Sequence, residues 1–528
     1  GAVGDTVPLD VITITGNLDL NAGIANAAGI TVESDMTVNE DITTTGAQTY
    51  NGNVIVAGDA VLTTTNSKIT FNGTVNSEAS EANDLSLNVG TSEVEFNGIV
   101  GGAADGGLGA LVITGDLNLD NTITSAASIN VSLLSNLGAS ITTSGSQTYQ
   151  GAVTVSTDVT LTTTDSSVDF DSTIDAGTAG DALTIAAGTG NVTFDNAVGG
   201  TTAMGNVTIT AGNLVISSEL NAPSSTVNLT LSGTGTDGAS DTGYITTQAL
   251  KLYGTGTHEY TNANNDVDTL AVGTSSVSSG GVTFHDTDTI ILGTSGSTSS
   301  TPIVYLAGDM TLTADEDILI NDAISYTDAS TSTLTITAGD DLMLNEDITS
   351  SSGKLNITVS SSTSSGGYLG IEGDLTTKGG AISLSGYLIS VQGTSAQTFD
   401  TSRTGVTGGN IDVNHALQLG ITNSGSASAL TLTTGGGTVI FDSTVNSASS
   451  ITRQYSTAST ISLAAQGTSG WSSVATATYN DGTNGSETIV CCFNNTLSYN
   501  TINDLNNTAI TVTFNWYRID SWDNVEPD

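Results

Sequence analysis

Residues 42–75 are ITTTGAQTYNGNVIVAGDAVLTTTNSKITFNGTV, and the same pattern returns 99 residues later, at 141–174, as ITTSGSQTYQGAVTVSTDVTLTTTDSSVDFDSTI. Both copies alternate Val, Ile or Leu with Thr or Ser in short runs that are interrupted by Gly, Asn or Asp. Alternation with a period of two is typical of half-buried β-strands, whereas Gly, Asn and Asp are turn residues. The stretch therefore predicts short strands joined by tight turns.

A shorter repeat begins inside each copy, continues beyond its end and is marked by aromatic residues. Successive aromatic residues are 21 to 25 positions apart, which is the size of one turn of a solenoid. Parallel stacking of such turns, about 4.8 Å apart, places like residues above like residues. We therefore predict an all-β, elongated parallel β-solenoid whose aromatic residues stack on one inner face. These residues are Tyr50, Phe71, Phe96, Tyr149, Phe170 and Phe194.

The charge of the chain excludes two kinds of partner. The 528 residues include 53 acidic and 7 basic side chains, which gives a net charge of −46. Nucleic-acid binding requires a basic surface that replaces phosphate counterions, and anionic membranes also attract basic segments. We expect neither partner. The acidic side chains are interpreted as a solvated outer face, with loose attraction of divalent cations as the alternative.

The predicted location is the extracellular space or the cell surface. The chain begins at Gly1 without Met, as a secreted chain does after removal of its signal. No apolar run of about 18 residues is present to span a bilayer as a helix. The 7 Lys and Arg residues also offer few sites to trypsin-like proteases, which favours persistence outside a cell.

The strings GAQTYNG, LTTT, ITFNGTV and VEFNGIVGG, together with GDMTLTADEDILINDAIS from Gly308, resemble the repeats of filamentous-haemagglutinin-type β-helical adhesins of Gram-negative bacteria. The resemblance covers about 12–450. It implies a right-handed parallel β-helix that is exported to the cell surface. It also implies a role in adhesion, aggregation or biofilm scaffolding without an enzymatic site.

Composition divides the chain into three predicted parts. Residues 1–11 are an N-terminal extension or cap strand, 12–450 are the solenoid repeats, and 451–528 are a small antiparallel β domain that contains all three Trp residues. Within the last part, VATATYNDGTNGSETIVCCF is predicted to form two strands around an Asn-Asp-Gly turn. This domain either caps the last turn or docks on the first turn of the next subunit.

The candidate assembly interface lies at the two ends of the chain. Pro8 precedes an alternating run that suits a donor or acceptor strand, and Val7 lies beside it. Cys491 and Cys492 are neighbours, which rarely bridge each other, so they are either buried thiols or partners in intermolecular disulfides. The remaining candidates are aromatic: Trp471, Phe514, Trp516 and Trp522.

Catalytic residues are not predicted. Polysaccharide-active enzymes on this fold use paired carboxylates, and the sequence contains such pairs at Asp340-Asp341 and at 315–317. Runs of this kind recur along the chain as turn residues, so they are interpreted as solvated acids.

Cofactors are not predicted either. His258, His285 and His415 lie in three separate segments and do not form a metal-ligand pair. Weakly bound calcium is considered only at residues 265–268 and 285–288, neither of which matches an EF-hand.

The predicted function is that of a non-enzymatic extracellular structural protein that assembles with itself head to tail into a filament or surface matrix. A heterologous contact that does not close into a ring produces a fibre. The alternative is a monomeric cell-surface adhesin that binds glycans or host protein. A polysaccharide-active β-helix enzyme is a more distant alternative.

Overall fold

The computed structural model describes residues 2–104, 106–238, 242–293, 304–364, 366–392, 396–419 and 430–443, and beyond these the backbone of the strands between 445 and 514. The described residues are all-β, with most strands in one long sheet, and they contain no helix. Contacts divide the chain into two units, residues 1–268 and 269–528. The boundaries predicted after residues 11 and 450 stay predictions.

The strands of the first unit are short and closely spaced. They are β1 (Leu9–Ile14), β2 (Leu18–Leu20), β3 (Ile24–Val32), β4 (Met36–Val38), β5 (Ile42–Thr44), β6 (Gln48–Tyr50), β7 (Val54–Val56), β8 (Ala60–Thr63), β9 (Ile69–Phe71), β10 (Val75–Ser77), β11 (Leu85–Phe96), β12 (Leu108–Leu119), β13 (Ile123–Val131), β14 (Ser135–Leu137), β15 (Ile141–Thr143), β16 (Gln147–Tyr149), β17 (Val153–Val155), β18 (Val159–Thr162), β19 (Val168–Phe170), β20 (Ile174–Ala176), β21 (Leu183–Ala186), β22 (Val192–Phe194), β23 (Val207–Ala211), β24 (Leu214–Ile216), β25 (Glu219–Leu231), β26 (Thr234–Thr236), β27 (Tyr244–Tyr253) and β28 (Thr257–Tyr260).

The next strand, β29 (Asp266–Val272), contains the boundary between the units, and the second unit continues with similar strands. They are β30 (Gly281–Asp286), β31 (Ile290–Leu292), β32 (Val304–Leu306), β33 (Met310–Ala314), β34 (Ile318–Ile320), β35 (Ile324–Tyr326), β36 (Thr331–Ala338), β37 (Leu342–Leu344), β38 (Ile348–Ser350), β39 (Lys354–Ser360), β40 (Tyr368–Ile371), β41 (Leu375–Thr376), β42 (Ile382–Ser385), β43 (Leu388–Val391), β44 (Gln397–Asp400), β45 (Ile411–Val413), β46 (Ala416–Leu419), β47 (Leu430–Thr434), β48 (Val439–Phe441), β49 (Val445–Ser447), β50 (Ile451–Tyr455), β51 (Ile461–Gln466), β52 (Ser472–Ala477), β53 (Glu487–Phe493), β54 (Thr496–Ile502) and β55 (Val512–Phe514).

In the first unit, strands pair in parallel with strands one turn away along the chain. The consecutive strands β4, β5 and β6 pair with β7, β8 and β9 respectively, so the chain visits three ladders in rotation. Longer strands such as β11 and β12 contribute to two ladders, because each contains an irregularity between its two paired halves. Each turn of the chain therefore adds one strand segment to each ladder.

The core of the first unit lies between the three ladders. In β7, for example, Val54 and Val56 are buried while Ile55 between them is half-buried, and the same alternation holds in β9. Removing each inward Val, Ile, Leu or Phe from water contributes about 1.5 to 3 kcal/mol. The alternation of apolar and polar residues in the sequence therefore predicts which side chains form this core.

The second unit has the same three-ladder arrangement. β30, β31 and β32 pair in parallel with β33, β34 and β35, and parallel pairing continues to β50 and β51. From β51 onward the described pairings are antiparallel, with β52 between β51 and β55. The hairpin expected around the Asn-Asp-Gly turn is wrong, because β53 pairs with β54 and not with β52.

Glycines stack at one corner of the first unit. Gly52, Gly73 and Gly98 occupy equivalent positions in three successive turns, and a Cβ atom on Gly73 would overlap the carbonyl oxygen of Gly52. A Cβ atom on Gly98 would overlap the carbonyl oxygen of Gly73 in the same way. Only glycine allows backbones to approach this closely.

We expect Gly73→Ala to destabilise the first unit by about 2 kcal/mol or more, because the added methyl group must push two turns apart. Gly16→Ala is the matched control, since a Cβ atom there meets no atom within 4 Å. Urea unfolding monitored by circular dichroism measures both changes. Equal stability of the two variants would contradict the close approach at this corner.

Candidate functional site

One buried aromatic stack in the first unit joins three successive turns. The ring centroids of Tyr50 and Phe71 are 5.2 Å apart, and those of Phe71 and Phe96 are 5.0 Å apart, with interplanar angles of 20° and 9°. All three rings are at most 1% exposed. Stacked aromatic pairs contribute about 0.5 to 1.5 kcal/mol beyond the burial of their surface, so this stack ties neighbouring turns together.

The second stack, Tyr149–Phe170–Phe194, has centroid distances of 5.0 and 5.6 Å. It lies on a different ladder from the first stack. In the ladder of the first stack, Phe96 pairs with Leu119 in the next turn. In the ladder of the second stack, Tyr149 pairs with Val131 in the preceding turn. The expectation that all six rings share one inner face is therefore wrong. The physical reason is that 99 residues do not make a whole number of turns, so the second copy begins on another ladder.

A buried glutamine accompanies the tyrosine of each stack. The Tyr50 hydroxyl donates a hydrogen bond of 2.8 Å to Oε1 of Gln48, and Nε2 of Gln48 donates to the carbonyl of Thr63 at 2.9 Å and to Oγ1 of Thr44 at 3.2 Å. The second copy repeats this network with Tyr149, Gln147, Thr162 and Thr143. Burial raises the pKa of both tyrosine hydroxyls, which keeps them protonated as donors.

The later copy of this motif, at 397–399, has Phe399 in place of tyrosine. Gln397 is 1% exposed and still donates through Nε2, to the carbonyl of Glu372 at 3.3 Å. Its Oε1 has no hydrogen-bond partner in the described part of the chain. The tyrosine hydroxyl therefore has a defined structural task in the first two copies, which the sequence analysis did not assign to the Gln-Thr-Tyr string.

Acidic and amide side chains at the turn corners bind the backbone of the next turn. An Asp or Asn that directly precedes a buried apolar strand residue accepts a hydrogen bond from the backbone N–H at the equivalent position 18 to 28 residues later. Asp347, for example, accepts from the N–H of Asp374 at 2.7 Å, and Asp374 accepts from the N–H of Thr398 at 2.6 Å. Each acceptor lies in the preceding turn, so these carboxylates give the corner N–H groups a hydrogen-bond partner between turns.

The pattern recurs through both units. The acceptor and donor pairs are Asp35–Asn53, Asp41–Val61, Asn53–Thr74, Asp59–Asp84, Asp84–Ala110, Asp116–Leu134, Asp158–Ala182, Asn206–Thr226, Asn213–Thr234, Asp309–Thr333, Asp317–Asp341, Asp341–Tyr368, Asp347–Asp374, Asn356–Ala381, Asp374–Thr398 and Asn410–Thr438. Many of the acidic residues therefore have a structural task at the corners. The sequence signal is an Asp or Asn immediately before an inward apolar residue of a strand.

Stacked carboxylates repel one another in the second unit. Burial raises the pKa of Asp341 and of Asp374, and the neighbouring carboxylates of Asp340 and Asp317 in the first case, and Asp347 in the second, raise it further. The accepted backbone hydrogen bonds act in the opposite direction. The pKa of both carboxyl groups is therefore higher in the folded state than in the unfolded chain. Both groups add to the stability of the folded state as the pH falls through their raised pKa.

His258 is a buried neutral histidine in the first unit. It is 0% exposed, and Nε2 lies 3.2 Å from the carbonyl oxygen of Tyr253. Burial lowers the pKa of His258 from 6.5 to about 4. Its Nδ1 and the hydroxyl of the neighbouring Tyr260 are buried without a hydrogen-bond partner in the described residues. Protonation of this ring is therefore unfavourable in the folded state.

The other two histidines lie in the second unit. His285 Nε2 is 2.9 Å from Oδ1 of Asp315, and His415 lies just before β46. Within the described ranges, no group of three or more His, Cys, Asp or Glu side chains is arranged to hold a metal ion. At the first calcium candidate, the Asn265 side chain is engaged by backbone groups, including the N–H of Ile245 at 2.8 Å. Weak calcium binding there and at 285–288 stays a prediction.

The carboxylate pairs considered for catalysis lie at turn corners. Asp341 accepts the backbone N–H of Tyr368, and Asp317 accepts that of Asp341. An open groove of about 320 Å³ in the first unit is lined mainly by small residues such as Ser80 and Ala127, with Glu81 as its one carboxylate. That groove does not contain the pair of carboxylates that glycoside hydrolysis uses.

The first strand is an exposed apolar edge. β1 pairs in parallel with β3, and no other strand ladder to β1 is found among the described residues. Val7 and Val11 are 67% and 63% exposed, and Pro8 between them is also exposed. In a parallel pair the backbone groups of alternate residues face away from the partner strand. Half of the N–H and C=O groups of β1 are therefore open to another strand.

The C-terminal candidates lie outside the described side chains. Cys491 and Cys492 are in β53 and Phe514 is in β55, for which the structure describes the backbone. Trp471, Trp516 and Trp522 lie outside the described residues altogether. Their assignment to an interface stays a prediction.

Comparisons with known proteins found no matching family model, no similar curated protein and no similar solved structure. In the described part of the chain, no helix has the length and apolar character needed to cross a membrane.

We expect Tyr149→Phe to destabilise the first unit by about 1 to 3 kcal/mol, because Oε1 of Gln147 would then be buried without a donor. The reciprocal change Phe399→Tyr supplies the donor that Gln397 lacks and should stabilise the second unit by up to about 1 kcal/mol. Urea unfolding of each variant measures both effects. A Tyr149→Phe protein as stable as the original would show that the hydroxyl is not needed.

We expect acidification to weaken the first unit around β28. The pKa of His258 is lower in the folded state than in the unfolded chain, so stability is fully present above pH 6.5 and is lost as the pH falls toward 4. The full shift corresponds to about 3 kcal/mol. Hydrogen exchange of Thr257–Tyr260, corrected for intrinsic rates, measures the loss. His258→Gln should remove this pH dependence; an unchanged profile would assign it to other groups.

Proposed function

We propose that the protein is a non-enzymatic extracellular structural protein that assembles with copies of itself head to tail, and that its repeats form right-handed parallel β-helices. The rotation of successive strands through three parallel ladders supports the β-helix. Right-handedness follows from the strong preference of parallel strand connections for that hand. The resemblance to filamentous-haemagglutinin-type adhesin repeats belongs to the same proposal.

A structural role, as the shaft of an assembly, is the function that these repeats support best. Its inward side chains pack against one another, buried polar groups such as those of Gln48 and Tyr50 bind each other, and its corner carboxylates bind the backbone of the next turn. Each turn thus contacts mainly its neighbours, as in other repeat proteins, and length is added one turn at a time.

The observation that carries self-assembly is the open edge of β1. Natural proteins usually protect an edge strand with charge, a bulge or a covering element, since an exposed one pairs with other chains. Here Asp10 is the one charged residue of β1 and Pro8 precedes the strand, while Val7 and Val11 leave apolar surface exposed in a chain of net charge −46. We infer that a second copy covers this edge. A strand of that copy can pair with β1 at the spacing of about 4.8 Å that separates neighbouring strands in a sheet.

The net charge of the chain makes the proposed assembly depend on ionic strength. Copies that each carry a net charge of −46 repel one another over distances set by the Debye length, which is about 30 Å at 0.01 M salt and about 8 Å at 0.15 M. Assembly through a short apolar and backbone contact is therefore favoured as ionic strength rises. Binding through ion pairs would show the opposite dependence.

We expect electron microscopy and analytical ultracentrifugation to show head-to-tail polymers of the purified chain that lengthen between 0.01 and 0.15 M salt. Val11→Glu should shorten them sharply, because it places a charge at the contact. Leu134→Glu is the control, since Leu134 is 56% exposed away from β1. A chain that stays monomeric at every ionic strength, or that polymerises equally well with Val11→Glu, would refute this proposal.

A further inference from the structure

One outer face of the second unit carries a regular array of hydroxyl groups. Five strands, β30, β33, β36, β39 and β42, pair in register in one ladder. Their outward positions form two columns, which we call the hydroxyl array. The first column is Thr283, Thr311, Thr335, Thr358 and Ser383, and the second is Thr313, Thr337, Ser360 and Ser385, with His285 preceding it.

The hydroxyl array is accessible to solvent. Thr337 and Thr358 are exposed, and the other members are half-buried by their own neighbours in the columns. Ser360 donates a hydrogen bond of 3.3 Å to Thr337. Thr311, Thr313 and Thr335 are half-buried and alternate with fully buried residues along β33 and β36, so their side chains face outward.

Charged groups flank the hydroxyl array, as the His285–Asp315 pair and Lys354 do, but none lies within its Thr and Ser positions. The chain has 53 acidic residues, yet neither column contains Asp, Glu, Lys or Arg. The acids lie instead at the corners that flank these strands, as Asp309 and Asp341 do. The first column ends where Ser383 meets Asp412 of the next turn. A face of this kind does not attract an ionic partner.

Threonine gives the hydroxyl array a fixed shape. A β-branched side chain in a strand has restricted χ1 rotation, so its hydroxyl and methyl group keep defined directions. Less side-chain entropy is lost on binding than with long polar residues. Each position therefore presents a hydrogen-bonding group next to a small apolar group, and pairing in register repeats this arrangement from turn to turn.

The dimensions of the hydroxyl array match those of frozen water. Strand pairing spaces the hydroxyls about 4.8 Å apart along a column, and two residues of strand separate the columns by about 6.7 Å. A tetrahedral network with O···O distances of about 2.75 Å repeats every 4.5 Å in one direction and about every 7.4 Å in the perpendicular one. The two grids agree within about a tenth, so the hydroxyls can replace oxygen sites of such a lattice.

We propose that the hydroxyl array binds the surface of ice. Threonine hydroxyls take the positions of lattice waters, and the methyl groups between them order the adjacent water. This activity does not depend on self-assembly, because it uses the side of the ladder and leaves the edge of β1 free. Crystalline polysaccharide and a second copy of the chain are the competing occupants.

The test uses the purified 528-residue chain in an ice recrystallisation assay and in adsorption of the fluorescently labelled protein to a growing ice crystal. We expect both activities in the original protein and in Val11→Glu. Thr337→Tyr places a ring above the flat face and should raise the protein concentration needed by about tenfold. Thr349→Tyr is the matched control, because Thr349 is an exposed outward residue on another ladder, and it should retain full activity.

Thr337→Val keeps the shape of the side chain and removes one hydroxyl, so it should reduce ice binding less than Thr337→Tyr while folding normally by circular dichroism. Absence of ice adsorption by the folded original protein would overturn the proposal. Equal effects of Thr337→Tyr and Thr349→Tyr would overturn it as well. Binding to chitin or cellulose that Thr337→Tyr abolishes, without ice adsorption, would assign the face to polysaccharide instead.

Discussion

In-register parallel pairing is the constraint on which the other features of this protein depend. It puts each residue opposite the residue at the same position one turn later, as Tyr50 lies opposite Phe71 and Asp347 next to Asp374. Each side chain must therefore fit against the side chain at the same position in the next turn, which has a similar degree of burial. Rings stack, glycines lie above glycines, and hydroxyls align in columns because the backbone repeats every turn.

The same constraint explains how the chain tolerates its charge. Burial raises the pKa of Asp341 and Asp374, and the neighbouring carboxylates, which repel them, raise it further. At the corners, however, each carboxylate also accepts a backbone N–H from the next turn. Hydrogen bonds to a charged acceptor contribute about 1.5 to 3 kcal/mol, which offsets part of the repulsion. Asn serves at the same positions, for example at Asn206 and Asn410, where it keeps the acceptor without the charge.

Parallel ladders also determine where a protein of this kind has surfaces for other molecules. Interior strands of the described ladders pair on both sides, whereas β1 pairs only with β3 among the described strands, so a further strand fits beside β1. The sides of the ladders are regular arrays and not clefts. Asp317 and Asp341, two of the acidic residues considered for catalysis, each accept a backbone N–H at a corner.

The alternating runs and the repeat of 21 to 25 residues determined much of this protein by themselves. They identified the all-β class, the inward and outward residues, and the members of each aromatic stack, because a strand has a period of two and stacked turns repeat the same positions. Tertiary structure decided which ladder each copy occupies. Phe96 leads to Leu119 while Tyr149 follows Val131, since turn length varies from turn to turn and the number of turns in 99 residues cannot be read from one chain. It also decided that Gln48 binds Tyr50 and that corner carboxylates bind N–H groups some 18 to 28 residues away. A hydrogen bond between turns depends on their three-dimensional stacking, which local sequence patterns do not contain.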